Sequence, residues 1–225
     1  MLLLVIRRDG SIEKMSRRSI ARIVGTALAM MWALSSAPVG IRVAIADQCP
    51  DAEVVFARGT GEPPGVGLAG QAFIDSLTAQ VPGKSVGVYP VNYPATPDYV
   101  DSARAGAGDA GGHVENMVAS CPNTKMVLGG YSQGAAVVDL TTNQMPARAA
   151  DHVAAVALFG NPSSTYSKEL SANQFPPISP AYRPKAIEIC VPDDMICSEG
   201  GNILAHLSYV PDATNQAAAF VAGRL

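Results

Sequence analysis

Histidine is scarce in this chain of 225 residues, which has only three, and none lies at zinc-ligand spacing beside any of its four cysteines. The sequence therefore gives no sign of a metal site built from thiolate and imidazole ligands. Internal repeats and low-complexity linkers are also absent, which argues against repeat architectures and loosely tethered domains. The length itself suits one or two domains.

Long hydrophobic runs are missing as well. The longest run without a charge, residues 23–41, contains two serines and Pro38 and ends at Arg42, so it does not favour a membrane-spanning helix. A basic segment, residues 15–22, precedes it, and the small-x-small pattern of residues 44–46 follows. We predict a signal peptide over residues 1–46, cleaved after Ala46, in preference to a membrane anchor, with Met15 as the translation start.

Removal of residues 1–46 changes the charge balance. That segment carries 7 of the 16 Lys and Arg residues and 2 of the 19 Asp and Glu residues, so residues 47–225 keep 9 basic and 17 acidic side chains and a net charge of −8. An acidic exported domain is a poor binder of nucleic acid, whose phosphates repel it. The remaining 179 residues suffice for one hydrophobic core but not for two comfortable domains.

All four cysteines lie in residues 47–225, and an even number in an exported chain favours disulfides over free thiols or metal ligands. Three pairings are open. Cys190 and Cys197 are near enough in sequence to close a small loop, and that choice pairs Cys49 with Cys121.

Short apolar runs alternate with helical patterns throughout residues 47–225. The apolar runs predict strands at 53–57, 85–91, 126–128, 153–159 and 186–190. The helical patterns predict helices at 68–81, 99–120, 133–144, 203–210 and 213–223. Near-continuous apolar strands separated by helices indicate a parallel sheet covered on both faces. We therefore predict an α/β fold, a three-layer α/β/α sandwich with a central parallel sheet of about five strands.

A Gly-x-Ser-x-Gly motif at residues 130–134 lies between a predicted strand and a predicted helix. In that context it fits the nucleophile elbow, in which a strained backbone presents the serine hydroxyl at the end of a strand. Ser132 is therefore the candidate nucleophile. The amide of Gln133 lies in the first helical turn, where it has no intrahelical partner and can bind an oxyanion.

A serine nucleophile needs a base, and chain order separates the three histidines. In hydrolases with this elbow the order is serine, acid, histidine, and His113 precedes Ser132. His152 comes just before the predicted strand 153–159 and so belongs at the opposite end of the sheet from the site. His206, after the last strand, remains as the predicted base.

The acid that orients this base is expected in the loop after strand 186–190, where Asp193 and Asp194 are adjacent and spacing alone does not choose between them. The loop has the sequence Cys190-Val-Pro-Asp-Asp-Met-Ile-Cys197 and is followed by His206, an arrangement that resembles the cutinase family. In that family a Cys-x-x-x-Asp-x-x-Cys loop holds the triad acid. The resemblance therefore makes Asp194 the acid, and not Asp193.

The resemblance covers nearly all of residues 47–225, including residues 56–62. Within the family, this chain is similar to the secreted cutinase-like esterases of mycobacteria. The resemblance implies an α/β-hydrolase, and it matches the disulfide pairing that spacing favours. Only eleven residues separate Asp194 from His206, and no long insertion elsewhere offers a hinged lid, so we expect an uncovered site. The resemblance also implies that Thr60 and Gln133 form the oxyanion hole, although fungal cutinases usually have serine where this chain has Thr60. Two loops would line the acyl site by the same analogy, residues 94–99 and 202–205.

Together these residues predict a secreted, cutinase-like serine esterase that hydrolyses carboxylic esters of short- to medium-chain acids without a metal or organic cofactor. The expected partners are small or polymeric ester and lipid substrates. We expect no nucleic acid, no membrane insertion after signal cleavage, and a monomer. One alternative is a carbohydrate deacetylase of the acetylxylan esterase type, which shares this fold and elbow. Another is a secreted antigen or binding protein that keeps the fold but not the turnover.

Overall fold

The computed structural model describes residues 49–225, so the predicted leader and its cleavage site after Ala46 lie outside the described residues. The strands are β1 (Ala52–Ala57), β2 (Val86–Pro90), β3 (Lys125–Tyr131), β4 (Val153–Phe159) and β5 (Ala186–Ile189). The helices are α1 (Gly67–Gln80), α2 (Tyr99–Ser120), α3 (Gln133–Gln144), α4 (Ala147–Ala150), α5 (Thr165–Leu170), α6 (Ile203–His206) and α7 (Asp212–Ala222).

The five strands form one parallel sheet in the order β2-β1-β3-β4-β5. β1 is buried along its whole length, and β3 and β4 nearly so, because helices cover both faces at the centre of the sheet. The predicted parallel sheet of about five strands is confirmed. The chain leaves β1 toward one edge and β3 toward the other, and open α/β sheets place their sites at the carboxyl ends of such strands.

Two hydrophobic clusters hold the helices against the sheet. On one face, α1 and α7 pack over the sheet, where the ring of Phe73 from α1 lies 6.1 Å from that of Phe56 and 5.8 Å from that of Phe159. On the other face, α2 and α3 pack over Leu128 and Val156. Each such large apolar side chain contributes about 1.5–3 kcal/mol when it is fully buried. The sheet is therefore a rigid support for the loops at its carboxyl edge.

Two disulfides reinforce this support. Cys49–Cys121 joins the segment before β1 to the end of α2 across 72 positions, and Cys190–Cys197 closes the loop after β5 across 7 positions. These are the two pairs that spacing favours. Within residues 49–225 there is no helix of the length and hydropathy that a membrane crossing requires.

The segment between β4 and β5 is the main departure from the sequence-based expectation, which placed no element there. α5 begins after Ser164, whose hydroxyl accepts a hydrogen bond of 3.1 Å from the amide of Ser167. A helix of only six residues shows too little of the 3.6-residue period to be recognised. The predicted helix 203–210 is also shorter than expected, because α6 ends at His206.

Candidate active site

The elbow motif forms the sharp turn that its glycines allow. Ser132 joins β3 to α3 with φ 57° and ψ −122°, a backbone conformation that costs about 1–3 kcal/mol in a residue with a Cβ atom. A Cβ atom on Gly130 would collide with the backbone of Gly134, and one on Gly134 would collide with the carbonyl oxygen of Ala57. Close packing between strand and helix thus explains both glycines of the motif.

Asp194 and His206 meet beyond the carboxyl end of β5, Asp194 from the loop closed by Cys190–Cys197 and His206 from the end of α6. Nδ1 of His206 lies 2.7 Å from Oδ2 of Asp194, and Oδ1 of that carboxylate accepts a 2.8 Å hydrogen bond from the amide of Ile196. Burial raises the pKa of Asp194, but hydrogen bonds from His206, Tyr209 and Ile196 together outweigh it, and the net pKa is lowered. Asp194 is therefore an ionised carboxylate held against an imidazole.

The competing residues lie elsewhere. Asp193 is exposed, with φ 63°, whereas Asp194 is fully buried, so the two adjacent carboxylates have opposite environments. His113 lies on α2, 2.9 Å from Glu53, and stacks on Tyr89. His152 immediately precedes β4, at the amino end of the strand. Neither histidine approaches the elbow from the carboxyl edge of the sheet.

Ser132 and His206 line one cavity, but no hydrogen bond joins them. Nε2 of His206 is buried and has no hydrogen-bond partner among residues 49–225. Catalytic hydrogen bonds are often long or misaligned without substrate and tighten in the reactive complex. The imidazole thus has one nitrogen fixed by a carboxylate and the other left for a group in the cavity.

Two backbone amides at the mouth of the elbow are also without acceptors in the described part of the chain, those of Thr60 and Gln133. The Thr60 hydroxyl is buried and unpaired over the same residues. The Gln133 side chain is fixed, because its Nε2 donates 2.9 Å to the Thr96 carbonyl and its Oε1 accepts 3.0 Å from the Ser102 hydroxyl. Oriented donors without partners are what an oxyanion requires.

The loop that carries Thr60 is held by a hydrogen-bond network, centred on the buried Arg58, that the sequence did not reveal. Arg58 donates 2.8 Å hydrogen bonds to the carbonyl oxygens of Glu62 and Tyr93. The Glu62 carboxylate accepts 2.6 Å from the amide of Gly59 and 2.8 Å from the amide of Leu68. These bonds close the turn between β1 and α1, so the Thr60 amide has a defined direction.

The cavity beside Ser132 has a volume of about 470 Å³, a size typical of small-ligand pockets. Its lining is largely apolar and draws on both of the loops expected from sequence, through Tyr99 and Ile203, and on the unexpected α5, through Tyr166 and Leu170. Several of the apolar side chains that line it are exposed, among them Leu68, Ile203 and Leu207. The arrangement suits an apolar acyl group next to a serine.

Two tyrosines, neither of them predicted as a site residue, enclose the imidazole of His206. Tyr131 stacks on its ring at 5.0 Å and donates a 2.6 Å hydrogen bond to the His206 carbonyl oxygen. Tyr209 meets the same ring edge-on at 6.1 Å. A Cβ atom on Gly160 would lie 2.7 Å from Cε1 of His206, so the backbone after β4 forms another wall. The only sequence signals were the tyrosine within the elbow motif and the tyrosine three positions after His206.

A polar cluster around the buried Asp139 of α3 includes Asn161, after β4, and Glu188 of β5. Nδ2 of Asn161 donates to Oδ2 of Asp139 at 3.0 Å and to Oε2 of Glu188 at 3.2 Å. Oδ1 of Asp139 is buried and has no hydrogen-bond partner in the part of the chain that the structure describes. Burial raises the pKa of Asp139 to about 8, with the Glu188 charge adding to the effect and the Asn161 hydrogen bond opposing it.

The parallel sheet, the strained elbow serine and the oriented imidazole define the class of α/β-hydrolase proteins. Comparison with known families narrows this class, because residues 48–225 match the profile described as cutinase. Carboxylesterase Culp1 of Mycobacterium tuberculosis is 58% identical over 213 residues, which cover 94% of this chain and 98% of that protein. Phospholipase Culp4 of the same species is 51% identical over 187 residues, or 79% and 80% of the two chains. The chain belongs to the cutinase family of carboxylic ester hydrolases, which confirms the resemblance.

Solved structures agree with this membership. Trichoderma reesei cutinase, determined with a phosphonate inhibitor, is 35% identical and superposes with a TM-score of 0.66 over 78% of this chain and 76% of that one. An acetylxylan esterase is 26% identical, also with a TM-score of 0.66, over 78% of this chain and 99% of that one. The predicted cutinase-like α/β-hydrolase fold is confirmed.

Proposed function

We propose that Ser132, His206 and Asp194 are the catalytic triad of this hydrolase. Ser132 attacks the carbonyl carbon of an ester while Nε2 of His206 takes the hydroxyl proton, and the same nitrogen then returns that proton to the departing alcohol. Asp194 accepts from Nδ1, fixes the tautomer and stabilises the imidazolium that forms. Water, activated by His206, releases the acid and restores Ser132. The observation that carries this proposal is the buried imidazole with one nitrogen on a carboxylate and the other free toward the serine's cavity.

The amides of Thr60 and Gln133 are proposed to hold the tetrahedral oxyanion. Their support is the absence of acceptors among the described residues and the fixed backbone on either side of the elbow. Donors that are oriented before the reaction stabilise developing charge without further reorganisation. The unpaired Thr60 hydroxyl is a third donor that a substrate oxyanion would satisfy.

The proposed substrates are esters of short- to medium-chain acids. The apolar lining near Leu170 and Tyr166 favours an acyl chain over an acetyl group alone, because a chain would fill the cavity and displace poorly bound water. The likeness to an acetylxylan esterase favours the alternative, a carbohydrate deacetylase. The acyl-length profile separates them, since near-exclusive acetyl release supports deacetylation and good butyrate-to-octanoate hydrolysis supports the cutinase-like function.

We further propose that the enzyme acts outside the cytoplasm. Support comes from the basic and apolar pattern of residues 15–41, the small-x-small pattern that ends at Ala46, and two disulfides of a kind that persist in oxidising compartments. Sequencing the amino terminus of the exported protein tests this directly, with Asp47 expected as the first residue. A different mature terminus would contradict the predicted cleavage.

An ester panel on the wild type and Ser132→Ala tests the triad. We expect the variant to lose at least about a thousandfold in kcat/KM on every ester, because the nucleophile is gone while the oxyanion hole and cavity remain. Ser163→Ala is the control, since that serine hydroxyl donates to the Cys197 carbonyl oxygen and Ser163 does not line the cavity. A fluorophosphonate probe should label the wild type and the control but not Ser132→Ala. Labelling that survives in Ser132→Ala would refute the assignment.

A further inference from the structure

Tyr209 has a polar contact that a packing residue does not need. It lies between α6 and α7, is 1% exposed, and its ring contacts Tyr131 and Phe159 edge-on as well as His206. Its hydroxyl donates a 2.6 Å hydrogen bond to Oδ2 of Asp194. Tyr209 also lines the cavity, and its phenol donates to the buried carboxylate of Asp194.

The oxygen that Tyr209 contacts is the same one that accepts from Nδ1 of His206, at 2.7 Å. The other oxygen of Asp194 is taken by the Ile196 amide. A carboxylate oxygen whose charge is drawn by two donors holds each of them less strongly than it would hold one alone. Tyr209 therefore competes with His206 for the charge of Oδ2, and it also fixes where that oxygen points.

We propose that Tyr209 is a positioning residue of the triad, which sets how strongly Asp194 stabilises protonated His206. The inference rests on the proposed roles of Ser132, His206 and Asp194. The amide of Val191 donates 3.4 Å to the Tyr209 oxygen, so the phenol is held in its donating orientation. Burial raises the pKa of Tyr209, with the Asp194 charge adding to the effect, so the phenol stays protonated throughout the working range.

Few other titratable groups face this cluster, and none of them duplicates the contact. Tyr131 on β3 donates to the His206 backbone and not to Asp194. Glu62, after β1, is bonded to backbone amides, and Asp193 beside Asp194 is exposed. Tyr166 on α5 lines the cavity, and no hydrogen bond joins it to the Asp194 carboxylate. A change in the pH dependence on altering Tyr209 would therefore be traced to its own hydroxyl.

The first test is the pH profile of kcat/KM for Tyr209→Phe on a soluble butyrate ester. Without the competing donor, Oδ2 stabilises the imidazolium more, so the acidic limb of the profile moves to higher pH, by roughly half a unit. At the plateau we expect a loss of about tenfold, from a less firmly oriented carboxylate. Tyr182→Phe is the control, since this buried hydroxyl has no partner among the described residues and belongs to the opposite cluster.

A second variant guards against a folding defect in Tyr209→Phe. Site-specific 3-fluorotyrosine at position 209 keeps the ring and makes the phenol a stronger donor, so the acidic limb should move to lower pH, opposite to the Phe variant. A purely structural role predicts loss at all pH values with superimposable profiles, and that result, or shifts of the same sign in both variants, would overturn the proposal. Ser132→Ala tests the triad with Tyr209 intact. Activity that survives in Ser132→Ala would contradict the triad, whereas superimposable pH profiles in the Tyr209 variants would contradict only this inference.

Discussion

The adjacent pair Asp193 and Asp194 provides a sharp test of the site, because Asp193 is exposed to solvent and Asp194 is fully buried against His206. Asp194→Asn removes the charge that stabilises the imidazolium. It also replaces one carboxylate oxygen with an amide NH2 group. If that group faces the imidazole, it donates to Nδ1, which leaves the proton on Nε2 and gives the base the wrong tautomer.

The expected size of the effect follows from the contact distance. Nδ1 of His206 and Oδ2 of Asp194 are 2.7 Å apart, so the charge centres of imidazolium and carboxylate are about 4 Å apart. Their electrostatic attraction at that separation is about 4 kcal/mol at an effective dielectric constant of about 20. At about 1.4 kcal/mol for each factor of ten, Asp194→Asn should lose about a thousandfold in kcat. KM should change little, since Asp194 lies behind the base and does not line the cavity.

The assay is release of p-nitrophenol from its butyrate ester, with Asp193→Asn as the matched control. Asparagine tolerates the left-handed backbone of residue 193, so that variant should keep wild-type kinetics and melting temperature. Activity of Asp194→Asn within tenfold of wild type, or an equal loss in Asp193→Asn, would refute the assignment of the acid. A melting curve for each variant separates loss of chemistry from loss of fold.

Two further predictions concern the support of the site. Gly134→Ala should destabilise the fold by about 1–3 kcal/mol and lower kcat, because the added methyl group collides with β1. Gly112→Ala, at an open position of α2, is the control and should be neutral or stabilising. Equal melting temperatures for the two variants would contradict the packing argument. The pKa of Asp139, raised by burial to about 8, means that the folded state binds more protons than the unfolded chain between about pH 4 and 8, so stability falls as pH rises through this window. Calorimetry should show a smaller fall for Asp139→Asn than for the wild type, and parallel curves would contradict this.

Local sequence was enough to predict the candidate nucleophile. Ser132 and Gln133 lie in five contiguous residues whose spacing encodes a strand, a strained turn and a helix, so the chemistry and the geometry are read from the same stretch. Only the order of elements was needed to predict His206, because His113 precedes the serine and His152 lies just before a strand, at the wrong end of the sheet. Asp194 required the family resemblance, since its difference from Asp193 is one of burial and direction, which spacing does not encode.

The residues that sequence missed act through contacts between distant segments. Tyr131, Tyr209 and Gly160 enclose His206 from β3, the segment after α6 and the end of β4, and no local pattern relates these positions. Arg58 and Glu62 fix the Thr60 loop by bonds to backbone groups, and backbone partners leave no signature in side-chain type. Such support becomes visible only once the fold brings the segments together.

This enclosure also indicates which partner moves when the missing bond between Ser132 and His206 forms. The imidazole is held at Nδ1 by Asp194, on one face by Tyr131, edge-on by Tyr209 and at Cε1 by the backbone of Gly160. The Ser132 hydroxyl, by contrast, lies in an open cavity and turns about a single bond between staggered positions. We therefore expect the bond to form by rotation of the serine side chain toward a fixed base, without movement of either backbone.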